Sequence, residues 1–227
     1  MKMCVLSVVN AGADFSIAGI NLEGEWVRPI SSGAMAPHWD ETHLNFDFGY
    51  GFIRVGDIIE FEGVQPAQNG ATFQPEDILV PSGKMILKNR LPNKDLLWFL
   101  EAAGESKEDF EQTIQGKDRS LCVIKVDQID HFLVPGSGNK LEPRMHLTNA
   151  SYPLLNPVVQ ASQYPVTDSK WSHLIRNQMV QNHSDYKEVY ITIGLQQLSG
   201  PTEQVEPQII GIHTDPEVSL PNQYPYQ

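Results

Sequence analysis

The stretch Pro37-His38-Trp39-Asp40-Glu41-Thr42-His43 sets two imidazoles and two carboxylates within six positions. Groups of this kind ligate zinc or another divalent ion when their spacing closes around it. This spacing matches no zinc signature, since H-E-x-x-H needs a different order on a helix. His38, Asp40 and His43 are the metal candidates here, set against an ordinary solvated loop, and the chain is expected to hold no metal and no cofactor. A second constellation lies upstream. Trp26 and Arg28 flank Val27, so on a strand they share one face and Val27 takes the other. If that face meets solvent, an aromatic plane beside a guanidinium is a platform for a nucleobase and its phosphate. If it turns inward, Trp26 packs in a core and Arg28 answers a carboxylate.

Further candidates follow the same logic. Trp39, Phe46, Phe48 and Tyr50 are aromatic rings of a glycine-containing loop, roughly residues 31–51, on which bases can stack. Lys84, Lys88, Arg90 and Lys94 fall within eleven residues with no acid among them, and with Arg28 and Arg54 they can neutralise phosphates. Arg144 and His146 share a strand face, but no acid or nucleophile near His146 in sequence makes it a catalyst. Asp168 stands where a helix begins; there it caps amide groups, or serves a ligand. Sequence patterns for a phosphate-binding Walker loop, a G-x-S-x-G elbow, a Cys/His zinc site and a dinucleotide fingerprint are missing. No residue is assigned to catalysis.

Mostly strands must position these residues. Cys4–Val9, Ser16–Leu22 and Glu25–Ile30 are short and rich in β-branched or aromatic residues, with Glu23-Gly24 as a tight turn. Asp57–Val64, Ile78–Val80 and Met85–Leu87 continue the pattern. Two helices follow. One is entered at Asn93 and stopped at Gly104; the other starts at Ser106, with Asp109 three positions on as a capping box, and ends at Gly116. Strands resume at 121–129, 132–134 and 144–148, with a turn at 136–139. A helix from Lys170 to about Gln181 repeats Trp171, Leu174, Ile175 and Met179 at helical spacing. Strands 189–195 and 208–213 close the fold. The expected class is mainly β (α+β): two small barrels joined by a helical segment. The expected domains are 1–91, a connector 92–118, a second barrel with helix 119–214, and a mobile tail 215–227.

Composition bounds the partners. The 227 residues carry a net charge of −12. Residues 1–80 hold 3 basic and 11 acidic side chains, and the middle 81–150 is balanced. That electrostatic balance does not suit gripping duplex DNA by its phosphates. Cys4 and Cys122 sit in apolar runs and read as buried thiols in a reducing compartment. No apolar stretch reaches the ~20 residues of a membrane helix, so no membrane partner and a cytoplasmic location are expected.

The segment Ala18-Gly19-Ile20-Asn21-Leu22-Glu23-Gly24-Glu25-Trp26-Val27-Arg28-Pro29-Ile30-Ser31 resembles the opening of a bacterial family of dual OB-containing domain proteins. Its members have an A-G-hydrophobic strand, a short turn and then G-x-W-[IV]-R-P-[VI]-S. Val55-Gly56-Asp57-Ile58-Ile59, Pro143-Arg144 and Pro165-Val166-Thr167-Asp168 are also similar. The resemblance implies two OB-like barrels and a module that handles nucleic acid or nucleotides; the acidic balance departs from a simple nucleic-acid binder. The expected function is a non-catalytic binding module for single-stranded nucleic acid or a nucleotide. The alternatives are an acidic protein-interaction subunit of a larger, defence-related bacterial complex, and a metal-assisted hydrolase built on His38 and His43.

Overall fold

The computed structural model describes residues 1–31, 38–46, 51–66, 74–114, 119–136, 140–148, 163–180, 186–197 and 205–220. Strand β1 (Lys2–Ala11) is apolar from Met3 to Leu6 and is buried on both faces. Met3, Val5 and Val8 enter one core, and Cys4 and Leu6 enter another. A bulge between Val5 and Ser7 shifts the alternation between them. Strand β2 (Asp14–Asn21) pairs antiparallel with β1, and β3 (Trp26–Ser31) with β2. Their turn is closed by Asn21, whose side-chain oxygen accepts from the Glu23 and Glu25 amides, while Gly24 takes a φ of 85°. Gly19 is required where β1 and β2 crowd together: a Cβ there would lie 1.9 Å from the Cys4 carbonyl oxygen.

Between β3 and the next long strand come helix α1 (Glu41–Leu44) and the short pair β4 (Asn45–Phe46) and β5 (Gly51–Phe52). Strand β6 (Asp57–Phe61) returns antiparallel to β1. Strand β7 (Asp77–Val80) lies parallel to β3. Val64, just past β6, bridges Leu79 of β7 through two hydrogen bonds of 2.8 and 2.9 Å. The ring is thereby closed in the order first, second, third, fifth, fourth strand, with a parallel third–fifth pair. That is OB topology. Strand β8 (Met85–Arg90) adds an outer edge on β6.

The second half repeats this plan. Strands β9 (Leu121–Val126) and β10 (Gln128–Pro135) act as one bent first strand, broken at Asp127. Strands β11 (Leu141–Thr148) and β12 (Gln163–Pro165) are the second and third. Helix α4 (Ser169–Arg176) follows, then β13 (Glu188–Gln197) and β14 (Val205–Asp215). Strand β13 pairs with both β14 and β9, and Val166 forms a parallel bridge to Ile209, closing the second ring. A buried tryptophan fills each ring from the segment between its third and fourth strands. Trp39 donates its Nε1 to the Pro29 carbonyl at 2.7 Å, and Trp171 donates to the Ile212 carbonyl at 3.0 Å. The protein is therefore mainly β and built from two OB-like barrels.

Helices α2 (Asn93–Ala103) and α3 (Lys107–Ile114) lie between the rings in sequence. The capping box forms: the Asp109 amide donates to Ser106 Oγ at 3.2 Å, and the Ser106 amide donates to Asp109 Oδ2 at 2.9 Å. Asn93 does not cap α2. Pro92 holds that position, and Asn93 donates its side-chain amide to the Thr214 carbonyl at 3.0 Å. Helix α4 also departs from expectation. It stops at Arg176 rather than near 181 because Gln178 takes a left-handed φ of 54°, and Met179 is exposed instead of joining the apolar face. Within the expected tail, Val218 and Leu220 pack against the second core, which ties that stretch down; 221–227 lie outside the described residues.

The barrels meet along a buried seam. Cys4 and Leu6 of β1 and Ile20 of β2 pack with Leu96, Leu97 and Leu100 of α2, Val123 of β9 and Tyr190 of β13; Trp26 of β3 packs against this cluster. Burying each of those leucines contributes roughly 1.5–3 kcal/mol relative to exposure. Polar contacts fix the register. Ser7 Oγ donates to the Ile210 carbonyl at 2.7 Å, and the Ser120 amide and hydroxyl donate to the Glu76 carboxylate at 2.5 and 2.8 Å. Gly211 lets β14 approach β1, since a Cβ there would lie 2.4 Å from the Leu6 carbonyl oxygen.

Candidate functional site

OB barrels take their ligands across the outer face of strands two and three and the adjoining loops. In the first barrel that face carries Ile20 and Trp26, and it is part of the seam. The Trp26–Arg28 platform is accordingly not free to stack on a base. Trp26 Nε1 donates to both Glu105 carboxylate oxygens, at 3.3 and 3.4 Å. Glu105 is held in turn by the Val123 amide at 2.6 Å and by an ion pair with Arg119. Arg28 Nε donates to Asp77 Oδ1 at 2.6 Å, and the Asp77 side chain is 2% exposed. The seam takes up Trp26, and the first barrel's own β7 takes up Arg28.

The aromatic loop is corrected in the same way. Trp39 is fully buried, pinned by a pair of 2.7 Å backbone bonds with Phe15 and filling the first core. Phe46 packs partly buried against that core. Phe48 and Tyr50 lie outside the described residues. The basic strip does not act as one. Lys88 Nζ lies 2.9 Å from Glu60, and Arg90 Nε donates at 2.5 Å to the buried Asp57. Lys84, Lys94 and Arg54 are exposed on three different elements: before β8, on α2 and before β6.

Asp40 caps α1. It accepts from the Thr42 and His43 amides, and His43 Nδ1 lies 2.8 Å away. Hydrogen bonds from Thr42 and His43 hold its carboxyl down at about 2. His38 is half-buried on the same segment. Among the described residues no group of three His, Cys, Asp or Glu side chains could hold a metal ion. Asp168 is a buried N-cap: Oδ1 accepts from the Trp171 amide at 2.7 Å and Oδ2 from the Ile212 amide at 3.3 Å. Burial pushes its pKa up to about 6, and it has no opening to a ligand.

The matching face of the second barrel lies outside the seam. On β11, Met145 and Leu147 point into the core, so Glu142, Arg144, His146 and Thr148 point outward. Pairing sets Phe132 of β10, Arg144 of β11 and Pro165 of β12 in one row, and Asp130, His146 and Gln163 in the next. Directly paired residues on one face have Cβ atoms roughly 4.5–5.5 Å apart. Phe132, Arg144 and His146 are half-buried, and Gln163 and Thr148 are exposed. Arg144 reaches Glu206 at 3.4 Å and Glu142 at 3.7 Å. The aromatic–guanidinium pair sought on β3 therefore exists on the other barrel. Arg144 and His146 were visible in the sequence as a shared strand face. Phe132, Pro165 and Glu206 were not, because strand register brings them there.

A family model described as "Dual OB-containing domain" matches residues 1–203 of this chain. No curated protein and no solved structure matches it.

Proposed function

The chain belongs to the dual OB-containing domain family, and from that premise we propose that it is a binding module whose second barrel receives a nucleotide or a short single strand across β10, β11 and β12. The observation that carries this reading is an asymmetry between two barrels of one topology. One outer face is spent on the seam, and the other lies outside it, with Phe132 beside Arg144. A phenyl ring offers a stacking plane to any base, and a guanidinium offers a fork to a phosphate oxygen. His146 and Gln163 in the adjacent row supply donors and acceptors for a base edge. Base stacking of this kind contributes ~1–3 kcal/mol per base.

Titration calorimetry at low ionic strength, with nucleoside monophosphates and short oligothymidylates, tests the reading. Phe132→Ala should weaken binding by ~10- to 100-fold, the stacking contribution of one base. Trp26, turned into the seam, is not expected to touch the ligand. A folded wild-type protein that binds neither nucleotide nor strand sinks the reading.

A second reading, a basic protein partner, is supported by the rim of the same face. Asp130, Glu142 and Glu206 are acidic, and Val134, paired with Glu142, is half-buried among them. Apolar side chains within an acidic rim suit a cationic partner surface. In that case lysine-rich peptides should bind with a steep salt dependence while nucleotides do not.

A further inference from the structure

The charges around Arg144 narrow the ligand further. Of the outward side chains on β10, β11 and β12 described above, Arg144 carries the one fixed positive charge. Its two terminal nitrogens are shared between carboxylates on different strands, Glu206 at 3.4 Å and Glu142 at 3.7 Å. Neither contact is a short bidentate pair, and both acids are partly exposed. Asp130 stands in the next row. An incoming anion can replace one of these loose partners on Arg144. A second anionic group beside it would meet Glu142, Glu206 and Asp130, with no further fixed cation among the described outward side chains of these strands.

We propose, resting on the nucleotide reading of this face, that it takes a ligand with one stacked base and a single phosphate, and that Glu142 and Glu206 exclude further phosphates. The chemistry is that of a nucleoside monophosphate, met either as a free nucleotide or as the phosphorylated end of a strand. Phe132 holds the base, Arg144 holds the phosphate, and the two glutamates act as the charge filter. Each like charge at ~6–8 Å in a medium of effective dielectric near 40 weakens binding by roughly fivefold or more. Within this site a triphosphate is a poorer ligand than a monophosphate, which reverses the order at an ordinary basic phosphate pocket.

Calorimetry on the full chain tests this with adenosine mono-, di- and triphosphate, and with a short oligonucleotide with and without a 5′-phosphate. The expected order is monophosphate over diphosphate over triphosphate. For the oligonucleotide the log–log salt slope should be near −0.7, the value of ~0.7 per neutralised phosphate on a single strand. A Glu142→Gln/Glu206→Gln double variant should bind the triphosphate at least tenfold better, with a thermal melt showing that it stays folded. If the phosphorylated oligonucleotide binds like the monophosphate, the source is a strand end; if free nucleotides alone bind, it is a small molecule. Binding that strengthens with each added phosphate, or a slope of −2 or steeper, overturns this inference and leaves the nucleotide reading intact. Silence toward every nucleotide in wild type and double variant alike overturns both.

Discussion

His213 gives the sharpest test of the packing argument. It lies on β14, is 3% exposed, and has Nε2 3.1 Å from Thr192 Oγ1. Burial, assisted by the charge on Lys170, pushes its pKa down from 6.5 to about 3. A histidine depressed in this way contributes stability that is complete above the unfolded value near 6.5 and is lost as pH falls toward the folded value. Linkage makes the loss small at pH 7, about 1 kcal/mol at pH 6 and about 2 kcal/mol at pH 5. Asp168 runs the opposite way. Burial raises its pKa from 3.8 to about 6, so its contribution falls as pH rises through that window. The two partly offset each other in the wild-type curve, but they separate in a difference. His213→Gln keeps a polar group near Thr192 and removes the titration, leaving Asp168 in place. Urea unfolding of both proteins between pH 5 and 7 should show the wild type losing ~2 kcal/mol more than the variant over that range. Parallel curves would refute the assignment of His213 as a buried neutral ring.

Packing elsewhere in the molecule sets three other outcomes. Trp39→Ala should cost ~3–5 kcal/mol by chemical denaturation, because it empties the centre of the first barrel and orphans the Pro29 carbonyl. A small loss would mean that the ring is not core. Arg28→Ala should destabilise by about 3 kcal/mol, since it strands the buried Asp77 carboxylate, while leaving nucleotide affinity unchanged. Loss of binding without loss of stability would return the site to the first barrel. Cys4 and Cys122 are buried, and burial pushes both thiols up to about 12. A thiol-reactive disulfide reagent at pH 8 should therefore label neither until the chain is unfolded, and rapid labelling of the native protein would contradict the packing.

The sequence alone determined the features whose causes are local. Alternating apolar strands with Gly24 and Asn21 at a turn, the Ser106–Asp109 box and the Asp168 cap depend on residues within a few positions of one another, and each formed. The repeated layout of short strands on either side of a helical middle was enough for two barrel-like halves, and the resemblance carried by the W-V-R-P-I-S segment implied that they were OB-like. Period-two alternation also assigned Trp26 and Arg28 to one face. It could not say what that face would meet, because Glu105 and Asp77 stand 79 and 49 positions away. Only the tertiary structure decided that the second barrel docks there, and one signal for it was present. An apolar run in β1 too continuous for one-sided burial required something to cover its outer side. The outer face of the second barrel was equally beyond local reading. Phe132, Arg144 and Pro165 become neighbours through strand register, and register is set by how two cores fill rather than by any residue near them in the chain.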